Sequence, residues 1–101
     1  MVLGVSSAEQ EIITTILAPY GQDYRFYYYG SRVKGTFEPT SDLDILIQGQ
    51  TAMPLSVLAD IKEQFDQSRL PYVVNFSDYH NISADFYRHI EKDLILYDSA
   101  L

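Results

Sequence analysis

The chain has 101 residues, 47% of them hydrophobic and 21% charged, which is the composition of an ordinary globular protein with room for one core. Its formal net charge of −7, from 14 acidic and 7 basic residues, argues against nucleic acid as a principal partner gripped through its phosphates. The lack of cysteine excludes disulfides, thiolate metal sites and cysteine nucleophiles together. No apolar run approaches the ~20 residues of a membrane span, and the start of the chain lacks a signal-peptide pattern, so a cytoplasmic, non-membrane protein with one domain over 1–101 is expected.

Ser6 and Ser7, each followed three residues later by Glu9 or Gln10, open a helix by two overlapping capping-box patterns. Ile12, Ile13, Ile16 and Leu17 recur at helical spacing, and Pro19 and Gly21 stop the run. Tyr24 to Tyr29 is rich in aromatics and reads as a strand. Ser31 to Lys34 fits a short helix before Gly35, and Phe37 to Ser41 reads as a loop. Leu43 to Gln48 is a second strand, closed by Gly49. Pro54 suits the first turn of a helix whose apolar face, Leu55, Leu58, Ile61 and Phe65, runs to about Arg69. Pro71 opens a third strand over Tyr72 to Phe76, Ser83 caps a last helix with Phe86 and Ile90 on one side, and Leu94 to Tyr97 is a short extended end. The order predicts an α+β (mixed α/β) fold, a small mixed sheet with helices packed on it.

The chemistry concentrates between Gly30 and Asp44. Asp42 and Asp44 are two apart, so a strand turns both carboxylates to one face while Leu43, Ile45 and Ile47 take the other. Two carboxylates placed so repel each other when alone and become favourable around Mg²⁺, which takes one or two carboxylates plus water and phosphate oxygens. Ten residues upstream stands Gly30-Ser31, where a glycine lets the backbone approach a ligand and a helix start offers amides and a hydroxyl to a phosphate. Arg32 and Lys34 are close enough in sequence to help neutralise that phosphate. A lone Gly-Ser is a turn and a lone Asp-x-Asp is weak, but the joint pattern arises by chance at on the order of 10⁻⁵ per starting position.

Gly30-Ser31, ten residues, then Asp42-Leu43-Asp44 resembles the signature of the minimal nucleotidyltransferases of the DNA polymerase β superfamily. The downstream segment from Leu70 to Ile90 is similar to their third strand and last helix. The resemblance implies the polymerase β palm-like fold and an enzyme, a nucleotidyltransferase, using ATP or another nucleoside triphosphate with Mg²⁺ (or Mn²⁺). It implies a nucleotide-binding role for Gly30 and Ser31, with Arg32 and Lys34 beside them, and a metal-ligand and catalytic role for Asp42 and Asp44. It also implies a helical HEPN-type partner protein, with this chain as the antitoxin half and AMP transfer to a partner hydroxyl as its reaction.

The family pattern expects a third carboxylate on the next strand, and that position is Asn75. An amide offers one neutral oxygen and takes no proton at useful pH. Asp78, three residues on, falls on the opposite face by strand alternation. The alternative expectation is therefore a catalytically impaired nucleotidyltransferase-fold protein acting as a protein-binding module. Whether the chain also forms a homo-oligomer is left open. The remaining groups read more simply: Tyr28 with Tyr24 and Phe26 as a covered sheet face, His80 and His89 as surface or structural residues, and Asp60, Glu63 and Asp66 as a solvated helix face.

Overall fold

The computed structural model describes residues 2–100, with side chains through residue 98. A helix over Ser7–Leu17 (α1) begins with a complete capping box, in which Ser6 Oγ accepts from the Glu9 amide and Glu9 Oε1 accepts from the Ser6 amide. Strand β1 follows over Tyr24–Tyr29, then a four-residue helix over Ser31–Lys34 (α2), and strand β2 over Leu43–Gly49. Helix α3 spans Leu55–Asp66, strand β3 Val74–Asp78, helix α4 Ala84–Ile90 and strand β4 Ile95–Leu96.

The four strands form one sheet in the order β3-β2-β1-β4. β1 runs antiparallel to both β2 and β4, while β2 and β3 are parallel, so the sheet is mixed as the order of elements predicts. Parallel strands need a crossover connection, and α3 provides it between β2 and β3.

Strand alternation divides the apolar residues between two faces. Phe26 and Tyr28 from β1 and Leu43, Ile45 and Ile47 from β2 face α1 and α3, where they bury against Ile13, Ile16, Leu17, Ile61 and Phe65. The Tyr28 hydroxyl, which a core would otherwise strand, donates to Gln10 Oε1 at 2.8 Å. Gln10 Nε2 in turn donates to the Tyr97 carbonyl at 2.9 Å, tying α1 to the end of the chain. The other face carries Tyr29 and Leu46, covered by Ile90 of α4 with Ile82, Tyr87 and Leu94 around it.

Several boundaries differ from the sequence expectation: Pro54 stands at the N-cap of α3 rather than in its first turn, and β2 runs through Gly49. The third strand begins at Val74 rather than Tyr72, because Pro71 and Tyr72 are spent on the approach; the Val73 carbonyl receives the Leu43 amide just before regular pairing starts. It also runs on through Asp78. The helix expected to reach about Arg69 ends at Asp66, where the Gln67 amide closes the last turn on Glu63. The extended end is a true fourth strand, two residues long, paired with Tyr27 and Tyr28. Among the described residues no helix is long and apolar enough to cross a membrane.

Candidate active site

Register brings the two halves of the signature together. Tyr29, the last residue of β1, lies opposite Asp44, so the next residue, Gly30, passes directly beside that carboxylate. Gly30 has φ 87° and ψ −160°, a combination open essentially to glycine alone. A Cβ there would also collide with Asp44 Oδ2. The backbone turn into α2 therefore demands glycine, and any side chain there would also have to displace the Asp44 carboxylate. Ser31 starts α2 immediately after, with its amide among those that have no acceptor inside the helix.

Asp42 stands exposed at the mouth of β2 and Asp44 is half-buried one step in, on the face that carries Leu46. β3 lies alongside in parallel, and its register sets Asn75 against Asp44. Asn75 Nδ2 donates to Asp42 Oδ2 at 2.9 Å. Burial pushes the Asp44 carboxyl above its ordinary value and the Asp42 charge adds to the rise, while the Asn75 amide pulls it back toward the charged form. Asn75 thus serves both acids as a neutral donor. Below them Tyr29 and Ser77 share a hydrogen bond of 3.1 Å, forming a polar floor next to Asp44. Burial, and then the Asp44 charge, raise the Tyr29 phenol above its ordinary value.

Gly30, Ser31, Asp42, Asp44 and Asn75 are therefore brought together. Arg32 is not among them, and the expectation that it neutralises a phosphate gives way. Its side chain is buried, and its guanidinium donates to the carbonyls of Gly4 at 2.7 Å, Ser41 at 2.9 Å and Pro39 at 3.1 Å. With its hydrogen-bonding fork occupied by backbone, it has little left for a ligand. Lys34 is exposed and forms a loose ion pair of 3.7 Å with Asp93. Asp78 sits on the opposite face, as alternation predicts; its carboxylate receives the Met53 and His80 amides at 2.8 and 2.9 Å. The His80 ring bonds the Gly49 carbonyl, a structural contact. Among the described residues no three acidic or histidine side chains converge on one point.

The sequence pattern marks neither Tyr29 nor Ser77 as a site residue. The signal for both was present, since Ser77 is two residues after Asn75 and Tyr29 immediately precedes Gly30. A hollow of about 660 Å³ lined by Tyr24, Gln48, Gly49 and Tyr97 lies at the far end of the same two strands and takes no part in this cluster.

The chain and its fold have known counterparts. The family model described as "Polymerase beta, Nucleotidyltransferase" matches residues 11–100. The chain belongs to that family. It is 37% identical over 90 residues, covering 89% of this chain and 79% of the other, to a protein of Haemophilus influenzae described as "Probable protein adenylyltransferase MntA". A solved structure described as "Crystal structure of the toxin-antitoxin with AMP-PNP" superposes with a TM-score of 0.71 at 18% identity, over 87% of this chain and 71% of that one. At that identity the superposition establishes a shared fold. The expected minimal nucleotidyltransferase domain is thus the fold observed.

Proposed function

We propose that this nucleotidyltransferase-family chain binds a nucleoside triphosphate at Gly30-Ser31 and acts as the antitoxin-type half of a protein pair, with nucleotidyl transfer held back at Asn75. The observation that carries this reading is the Asn75 amide donating to Asp42 where the family pattern expects a third acid.

The donor set suits a single divalent cation. Asp42 and Asp44 repel each other across one strand face, and the amide beside them is neutral. One Mg²⁺ (or Mn²⁺) held by these two acids would neutralise the triphosphate and polarise its phosphoryl oxygens. Asp42 and Asp44 set where that charge lies. The backbone at Gly30, with no side chain in the way, would admit the phosphates, and exposed Lys34 is the cation offered to them. Transfer would form a bond from an acceptor hydroxyl oxygen to the α-phosphorus and break the bond to pyrophosphate. The hydroxyl proton must leave to a base. Asn75 cannot take it, and Asp78, committed to two backbone amides on the other face, is not placed to do so.

The description of the H. influenzae relative as a probable protein adenylyltransferase supports a second reading, in which AMP from ATP is joined to a hydroxyl of a helical HEPN-type partner. The intact Gly30, Asp42 and Asp44 geometry favours it. An acidic chain suits a protein acceptor better than a nucleic acid one.

The two readings separate in one experiment. The protein is incubated with labelled ATP, Mg²⁺ or Mn²⁺ and a helical HEPN-type protein as the proposed partner. On the first reading wild type binds Mn²⁺–ATP, labels the partner weakly or not at all, and gains at least tenfold in labelling with Asn75→Asp. Strong labelling by wild type, abolished by Asp42→Ala and not improved by Asn75→Asp, establishes the second reading instead. A tight complex with the partner and no Mn²⁺–ATP binding in wild type overturns the nucleotide part of both.

A further inference from the structure

Arg32 is a buried cation without an ion-pair partner among the described residues. Burying an unpaired charge is expensive, and arginine stays protonated in proteins. Its compensation comes instead from carbonyl dipoles and aromatic faces. The Tyr72 ring lies 3.7 Å from the guanidinium carbon and the Phe37 ring 5.1 Å from it. The Tyr72 hydroxyl continues to Glu9 Oε1 at 3.1 Å, in the capping box of α1. On the other side Gly4 packs so closely on Arg32 that a Cβ would collide with it, and the Gly4 amide donates to the Arg32 carbonyl at 3.1 Å.

The carbonyls it holds decide the consequence. Residues 35–41 have no regular structure, and Arg32 grips that loop at Pro39 and at Ser41, the residue immediately before Asp42. A local turn, in which the Ser41 and Glu38 amides bond back to Glu38 and Ser41, completes the shape. We infer that Arg32 is a positioning residue: it fixes the loop that delivers Asp42 to Asn75 and Asp44. The planar fork is what the task requires, since carbonyls of two segments, Gly4 on one side and the 35–41 loop on the other, must be met at once; a lysine ammonium has no such fixed geometry. The consequence for ligand binding rests on the proposed role of Asp42.

The test follows the Asn75 side-chain amide and the Asp42 backbone amide by ¹H–¹⁵N NMR in wild type, Arg32→Lys and Phe37→Ala, with a Mn²⁺–ATP titration of each. Arg32→Lys is expected to unfold cooperatively, to shift both resonances, and to weaken Mn²⁺–ATP binding at least fivefold. A folded Arg32→Lys with both resonances unmoved overturns the inference, even if its Tm has fallen, because that is the result of a purely stabilising contact. If wild type fails to bind Mn²⁺–ATP, the nucleotide reading falls while the resonances still decide the role of Arg32. If Arg32→Lys does not fold, Phe37→Ala decides. It removes one ring from the guanidinium without touching its hydrogen bonds. A smaller shift of the same resonances is expected, and no shift overturns the inference.

Discussion

Asp44 shows how one residue couples the site to stability. Burial and the Asp42 charge lift its carboxyl in the folded chain above the unfolded value of 3.8. Between those two values the folded protein binds more protons than the unfolded chain, so stability falls as pH rises through the window. Above the window the penalty is complete; well below the unfolded value it vanishes. Asp44→Asn should therefore raise Tm near neutral pH and leave it unchanged at about pH 3, where the unfolded carboxyl is also protonated. Melts across that range check the sign. Gly30 offers the converse case. Gly30→Ala forces a methyl into the Asp44 carboxylate at a positive φ, and should cost about 1–3 kcal/mol in chemical denaturation from the backbone conformation alone. Mn²⁺ binding should be lost in the same variant.

These two residues were also the easiest to find in the sequence. Gly30 and the two acids belong to one connection between adjacent strands, so a fixed spacing encodes their meeting. Arg32 was misread for the opposite reason. Its surroundings come from Gly4, from the loop at Pro39 and Ser41, and from Tyr72, three separated places that no local pattern joins. Next to a Gly-Ser turn, an arginine looks like a phosphate ligand until its burial is seen.

At the scale of elements, the sheet's two faces carry unequal cores. α1 and α3 cover one face with a large continuous cluster, whereas α4 covers the other through Ile90, Leu46 and Tyr29 and a few half-buried neighbours. The small cluster forms the rear wall of the site, since Leu46 is two residues beyond Asp44 on its face. Leu46→Ala should cost about 2–5 kcal/mol in urea unfolding, the usual cost of a buried leucine. With so few groups anchoring α4, the same variant should also lose the T-shaped packing of Phe86 on Tyr29, which NMR contacts between the two rings would report. Element types were readable because the apolar periods are clear. The third strand's start was not, because proline and tyrosine suit a strand opening as well as an approach loop, and only the pairing of Leu43 with the Val73 carbonyl decides between them.

On the scale of the whole molecule, the sheet order separates the site into parts of different tenacity. β1 and β2 are the two inner strands, each paired on both sides for part of its length, and they bring Gly30, Asp42 and Asp44. β3 is an outer strand with one neighbour, and it brings Asn75. An outer strand opens by local fluctuation more readily than the centre of a sheet. Native-state hydrogen exchange should find the amides of Asn75 and its β3 neighbours exchanging faster than those of Ile45 and Leu46. Low urea should widen that gap before global unfolding begins. Equal protection of β3 and β2 would show instead that the sheet opens as one unit. Where the gap holds, the half of the pocket proposed to hold the phosphates outlives the half where the proposed function places the missing base. The third position is then a replaceable part: a substitution on that outer strand can turn chemistry up or down while the inner pair of strands, and whatever they grip, stays intact.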